Sequence, residues 1–267
     1  MKEPRDILVV DDEPVILEGV SKVCSGEGLS VDLAENGAAA LAMLSAREYR
    51  IVVCDIMMPQ LDGFQFLEEA ARRQLSSLVV MATGFSTLEN TVKSLSCGAV
   101  DFIPKPFTAD ELLSVIRRTL RLSAILGSVP RSGQGPQACL VHVPPPQRYY
   151  RMGYISWALL EDAGTVLAGV TDLFMRSLGE VAGVSLLQPG REIAQGNPCA
   201  EIRSADGMAH GVMCPVSGKV LERNEAAEAG PELLEKDPYF SGWMYRLLPS
   251  DLERDLQRLR AGGSGKF

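Results

Sequence analysis

Three carboxylates, a hydroxyl and an amine stand out for where they fall in the chain. Asp11 and Asp12 follow the apolar run Ile7–Val10, Asp55 follows Ile51–Cys54, Thr83 follows Leu78–Ala82, and Lys105 comes shortly after Val100–Ile103. Three carboxylates brought together repel one another. A hard divalent cation with oxygen ligands relieves that repulsion, and Mg²⁺ suits because it accepts a few carboxylates and keeps several waters. A phosphoryl group on one carboxylate adds further charge. The metal and a lysine ammonium neutralise it, and a hydroxyl hydrogen-bonds its oxygen. Taken singly, each residue has an ordinary explanation: a solvated acidic turn, a structural threonine, an exposed lysine between two prolines. Their weight comes from standing together at successive strand ends.

The elements that must position them follow from the pattern. Ile7–Val10, Val31–Ala34, Ile51–Cys54, Leu78–Ala82 and Val100–Ile103 are short apolar runs without alternation, as expected of strands buried on both faces. Helical patterns fill the intervals near 14–26, 37–47, 63–73, 87–97 and 108–124. Five strand–helix units predict a parallel sheet with helices on both sides. Ligands of such a sheet bind beyond the carboxyl ends of its strands, the edge on which all five residues fall.

The segments ILVVDDEP, VVCDIMMPQLDG, VVMATG and GAVDFIPKPF resemble the receiver domain of two-component response regulators over about residues 5–124. The resemblance implies an α/β, flavodoxin-like fold with a five-stranded, doubly wound parallel sheet. It implies Asp55 as the phosphoacceptor. Asp12 and Asp55 are then direct Mg²⁺ ligands, Asp11 assists through water, and the backbone carbonyl of Met57 completes the protein ligands. Thr83 and Lys105 hold the phosphoryl oxygens, and Phe102 matches the aromatic switch position. Pro106 follows the lysine where the family often has a cis Lys–Pro bond. Met57 and Phe85, each two residues beyond a site residue, flank the path of the attacking water. Both are apolar, which predicts slow self-dephosphorylation.

With 267 residues, 46% hydrophobic and 22% charged, the chain is long enough for two cored domains. The net charge is −8. Residues 1–124 carry 12 Lys/Arg against 18 Asp/Glu, and residues 149–267 carry 12 against 16. Neither half offers the basic surface a DNA-binding output would use to neutralise phosphates. No stretch approaches the roughly 18 apolar residues of a membrane span, and the N-terminus lacks a signal-peptide pattern. Six scattered cysteines without a CxxC pair fit reduced thiols and a cytoplasmic location. With only His142 and His210, a zinc site is not expected.

Residues 125–148 read as a Pro/Gly-rich linker, semi-rigid around Pro144–Pro146. Beyond it, apolar segments at 155–160, 166–170, 181–187, 200–203, 211–214, 220–223 and 243–248 are separated by turn signals. That spacing predicts a mostly antiparallel β domain over 149–260, with a helix near Asp172–Leu178, a terminal helix Pro249–Arg260 and a flexible tail over 261–267. His210 and Cys214 share a face of a strand, with packing as the plain reading, and Trp157 and Trp243 read as core or rim residues. The segments GTVLAGVTDLFMRSLGEVAGVSLLQPGREI, PCAEIRS and PVSGKVLERNEAAEAGPELLEKDPYFSGWMYRLLPSD resemble the H protein of the glycine cleavage system. The resemblance implies a lipoyl-type hammerhead β-sandwich. Its lipoyl lysine would stand at a hairpin tip, here Ala205–Ala209, at the position of Gly207. No lysine lies between Arg151 and Lys219. Without an amine the amide to lipoate cannot form there, so no lipoate is expected.

The function this supports is a response regulator of a two-component phosphorelay. Phosphorylation of Asp55 switches a non-lipoylated H-protein-like output or docking domain. The chain is then a switch with self-phosphorylation and self-dephosphorylation chemistry, not a substrate-turnover enzyme. A lipoyl-type carrier modified at Lys219 and a transcriptional regulator are the alternatives. Expected partners are a sensor histidine kinase or phosphotransfer protein, an unknown protein at the second domain, and a second copy of the chain through residues 86–122. No nucleic acid or membrane is expected. On that face Leu112, Leu113, Ile116 and Leu120 supply core positions, and Arg117, Arg118 and Arg121 are free to pair with acids of the second copy. Phe102 turns inward when the site is phosphorylated.

Overall fold

Consecutive residues of the first strands are buried on opposite faces of one sheet, which is why their sequence runs are apolar throughout. In the computed structural model, which describes residues 5–84, 87–128 and 142–262, Leu8, Val10, Val52 and Cys54 enter one core and Ile7, Val9, Ile51 and Val53 the other. The elements are β1 (Arg5–Val10), α1 (Pro14–Gly26), β2 (Val31–Ala34), α2 (Gly37–Ala46), β3 (Tyr49–Asp55), α3 (Gly63–Arg72), β4 (Leu78–Thr83), α4 (Leu88–Cys97), β5 (Asp101–Pro104) and α5 (Ala109–Gly127). The sheet order is β2-β1-β3-β4-β5, parallel at every pairing. Helix starts are written locally. Pro14 opens α1, Asn36 and Thr87 cap α2 and α4, and full capping boxes pair Asp62 with Gln65 and Thr108 with Glu111.

The second domain is built from β6 (Tyr150–Met152), β7 (Ser156–Leu160), β8 (Val166–Val170), α6 (Asp172–Leu178), β9 (Val181–Leu186), β10 (Glu192–Ile193), β11 (Pro198–Ser204), β12 (Ala209–Met213), β13 (Gly218–Arg223), α7 (Glu225–Ala229), α8 (Glu232–Lys236), β14 (Trp243–Pro249), α9 (Leu252–Leu256) and β15 (Arg260–Ala261). One sheet runs β10-β13-β14-β8-β7-β6-β15 and a second runs β12-β11-β9, all antiparallel. Val166, Ala168, Ile202, Val212, Val220 and Leu247 fill the core between them. Trp157 is fully buried with Tyr149 and Tyr239, and its indole N–H donates to the Pro238 carbonyl at 3.0 Å.

The expected terminal helix over Pro249–Arg260 is cut to Leu252–Leu256. Asp255 turns inward, 3% exposed, and accepts the Ser217 N–H at 2.5 Å, while Arg260–Ala261 pairs with Tyr150–Arg151 as an edge strand. The short helices α7 and α8 were not visible in the periodicity. Most of the segment expected to be a linker and the end of the tail lie outside the described residues.

The two domains pack together. Val92 and Leu95 of α4 enter the core of the second domain, and Tyr154 and Leu173 enter a core of the first. α5 lies against α6 and β12, and α4 against β6.

Candidate functional site

The carboxyl ends of β1, β3 and β4 bring the predicted residues to one edge. Asp55 closes β3 and Asp11 follows β1, both nearly buried at 4% and 2% exposure. The Lys105 ammonium lies between them, 2.7 Å from Asp11 Oδ2 and 2.9 Å from Asp55 Oδ1. The remaining oxygens take backbone donors: the Glu13 N–H reaches Asp11 Oδ1 at 3.1 Å, and the Met57 N–H reaches Asp55 Oδ2 at 2.7 Å. Thr83 is fully buried at the end of β4, and its carbonyl accepts the Lys105 N–H at 2.8 Å. The Lys105–Pro106 bond is cis.

Charge is balanced within this cluster. Burial pushes the Asp55 carboxyl above its ordinary value, against the opposing pull of Lys105 and the Met57 N–H. Burial also works against the Lys105 ammonium, but its bonds to Asp11 and Asp55 outweigh this and hold it above its ordinary value. Asp12 is exposed beside the pair. Among the described residues no three His, Cys, Asp or Glu side chains gather closely enough to hold a metal ion. Of the three carboxylates expected at the site, Asp11 and Asp55 share the Lys105 ammonium and Asp12 is exposed. The donor chemistry still fits a hard cation: two buried carboxylates that already share one positive charge, with a third exposed next to them.

Gly63 was missed as a site residue, though its signal was present in the glycine directly after the Asp62 cap. A Cβ there would stand 2.4 Å from the Asp55 carbonyl and 2.6 Å from Met81 Cε. A hydrogen atom in its place lets α3 approach the end of β3, and the Gly63 N–H donates to Ile56 O at 2.9 Å.

Other expectations change. Phe102, the expected switch residue, is buried in the unphosphorylated chain, 5% exposed. Met57 is 55% exposed at the mouth of the site. Phe85, its expected counterpart, lies outside the described residues. The three arginines of α5 are not free for a second copy: Arg117 pairs with Glu27, Arg118 with Asp101, and Arg121 with Asp206. In the second domain Gly207 sits exposed at the tip of the β11–β12 hairpin with φ 84°. Lys219 is the second residue of β13, its backbone paired with Glu192 on one side and Leu248 on the other.

Comparison with known proteins agrees with this division. Residues 7–117 match the response regulator receiver domain family, and residues 148–264 match the glycine cleavage H-protein family. A probable glycine cleavage system H protein of Thermococcus gammatolerans is 43% identical over 111 residues, covering 42% of this chain and 81% of the relative. The chain joins the response-regulator receiver and glycine cleavage H-protein families. The receiver of NtrX from Brucella abortus is 40% identical, covering 43% of this chain and 98% of that one, with a TM-score of 0.42. The regulatory protein AtoC of Escherichia coli is 34% identical over 119 residues, and the chain spans only 26% of its length. The first domain is thus a response-regulator receiver, and the second has the antiparallel architecture of H proteins. No described helix is long and apolar enough to cross a membrane.

Proposed function

We propose that the chain is a phosphoacceptor switch whose receiver takes a phosphoryl group on Asp55 from a histidine kinase or phosphotransfer protein. The observation that carries this is the Lys105 ammonium held between two buried carboxylates, at 2.7 and 2.9 Å, on the carboxyl edge of a parallel sheet. An Asp55 oxygen attacks the phosphorus, the P–N bond to the donor imidazole breaks, and an acyl phosphate forms as the imidazole leaves with a proton. Lys105 and the Thr83 hydroxyl take the phosphoryl oxygens, which is positioning and charge stabilisation rather than covalent work. Asp11, Asp12, Asp55 and the Met57 carbonyl are the residues that would hold Mg²⁺, which when bound offsets the charge of the transferring group. The chain then acts as a cytoplasmic switch and turns over no other substrate. Incubation with a small phosphodonor and Mg²⁺ should add one phosphoryl mass, and chelation should abolish it. Labelling that persists in chelator, or maps to another residue, contradicts the reading.

The phosphoryl group should be long-lived. Met57 is exposed at the site and offers no side-chain hydrogen bond to orient water. Met57→Asn supplies one and should shorten the acyl-phosphate half-life by about tenfold. A wild type that loses its label within seconds would show that another group orients the water.

The H-like domain acts as output or docking domain and carries no lipoate. Its hairpin tip has Gly207 where the amine would stand, and Lys219 lies on strand β13, paired through its backbone with β10 and β14, rather than at a hairpin tip. Co-expression with a lipoyl ligase should leave the wild-type mass unchanged. Modification at any lysine would overturn this and revive the carrier reading.

The signal leaves through α4, β5 and α5. Phosphorylation should change hydrogen exchange across residues 87–122; identical protection with and without label rules this route out.

A further inference from the structure

The face of the receiver that was expected to meet a second copy is covered from within the chain, by α6 and β12 on α5 and by β6 on α4, and β12 belongs to the hairpin whose tip is the expected lipoyl position. At its centre is Arg118, only 6% exposed. Its Nε and Nη2 donate to Asp101 of β5, its Nη1 lies 3.0 Å from His210 Nδ1, and its guanidinium sits over the Phe174 ring with 5.1 Å to the centroid. On the far side, His210 Nε2 is 3.1 Å from Ser204 Oγ. These partners assign the neutral tautomer, with Nδ1 accepting and Nε2 donating. Ser114, one turn before Arg118, donates to the Ala209 carbonyl at 2.9 Å. Arg121, three residues after it, pairs with Asp206 at the hairpin tip at 3.2 Å and also donates to Leu178 O.

The apolar half of the contact is equally close. A Cβ on Gly196, whose φ is 85°, would stand 2.6 Å from Val92 Cγ2 of α4. Only a residue without a side chain lets the loop seat there. At the edge, Ser96 Oγ donates to Arg258 O at 2.7 Å, and Arg260 Nη2 returns a bond to Ser96 O at 2.9 Å. A buried arginine, histidine and aspartate satisfy one another across two domains, so losing one partner while the contact stays closed leaves a buried polar group unpaired.

We propose that the β11–β12 hairpin of the H-like domain is a docking element for the receiver's α4–β5–α5 face, and that it occupies this face in place of a second copy of the chain. This rests on the reading above for the role of the face and names the partner that fills it. The tip carries Gly207 and no lysine; beside that glycine Asp206 meets Arg121, and His210 on β12 meets Arg118. The network starts at Asp101, whose Oδ1 takes the Phe102 N–H at 2.9 Å, so it touches the backbone of the predicted switch residue.

The test uses the full, unphosphorylated chain, so its outcome is independent of whether Asp55 is labelled. Ser114→Arg drives a long side chain into the contact from the receiver side. Amide exchange along β12 and α5 should rise by about tenfold or more, and the radius of gyration from solution scattering should increase, while β1 and β3 stay protected. Asp206→Arg sets two cations against each other at the rim and should give a smaller rise, which Arg121→Glu in the same chain should reverse. That reversal separates lost docking from lost folding. If Ser114→Arg leaves exchange and scattering as in wild type, or if the double charge swap does not recover the Asp206→Arg effect, the hairpin is not the docking element.

Discussion

Asp55→Asn is expected to take up no phosphoryl group under conditions in which the wild-type chain gains one. Asparagine keeps the shape of the side chain, and its oxygen still accepts the Met57 N–H that Asp55 Oδ2 now accepts at 2.7 Å. What it loses is a carboxylate oxygen able to form the acyl phosphate. The substitution should not unfold the domain. Burial holds the Asp55 carboxyl above its ordinary value, so ionising it costs more here than in the unfolded chain. A neutral amide relieves that penalty, and Lys105 keeps Asp11. The thermal midpoint of the variant should therefore equal or exceed that of wild type. Intact mass reads the label and a thermal scan reads the fold. A labelled variant would move the acceptor elsewhere, and an unlabelled but strongly destabilised one would make the loss uninformative about chemistry, in which case peptide mapping of the wild type identifies the acceptor directly.

Much of the receiver was legible because each of its signals is local. Ile7–Val10 and Ile51–Cys54 are unbroken apolar runs since both sides of their sheet are covered, and Asp62, Thr87 and Thr108 cap helices within three residues of themselves. The site residues were visible for a topological reason, that successive parallel strands end on one edge. How they are charged was not. Nothing in the spacing of Asp11, Asp12, Asp55 and Lys105 says that the lysine bridges two of the acids and leaves the third outside. The docking face was illegible for a different reason. Helical periodicity separates a core face from another face, and on α5 Arg118 and Arg121 meet the second domain while Arg117 pairs with Glu27. It cannot say what covers that face. Ser114, Arg118 and Arg121, at intervals of four and three, form a stripe whose meaning depends on His210 and Asp206, about 90 residues further on and in another fold. The terminal helix failed in the same way: Asp255 reads as a solvated helical acid until Ser217 supplies its partner.

The stripe has a pH dependence that follows from His210. Its imidazole is 2% exposed, and burial first, then the Arg118 guanidinium, lower its value from 6.5 to about 4. The groups facing it are Arg118 and Ser114 from α5 and Ser204 from its own hairpin, with Arg121 and Asp206 a step further out. Ser204, chiefly, and Arg121 hold Asp206 below its ordinary value, so that acid stays ionised and only partly offsets the two arginines. The sign is fixed by the depressed value. Above pH 6.5 both the docked histidine and a solvated one are neutral, and the contact keeps its full strength. As pH falls from 6.5 toward 4, a released His210 binds a proton that the docked one refuses, so the docked state loses ground. A protonated ring would also present an N–H to Arg118 Nη1 where it now offers a lone pair. The span from 6.5 to about 4 sets an upper bound of roughly 3 kcal/mol on this loss, because Ser204 and Asp206 of its own hairpin stay beside the ring on release. Amide exchange of β12 and α5, corrected for intrinsic rates at pH 7, 5.5 and 4.5, should report the loss as progressively easier opening, while β1 and β3 hold. His210→Asn places an amide oxygen near the position of Nδ1, accepts from Arg118 and does not titrate. Its opening free energy should therefore be flat over the same range. Equal pH dependence in the wild type and His210→Asn would assign the acid sensitivity to carboxylates elsewhere and remove His210 from the contact's energetics.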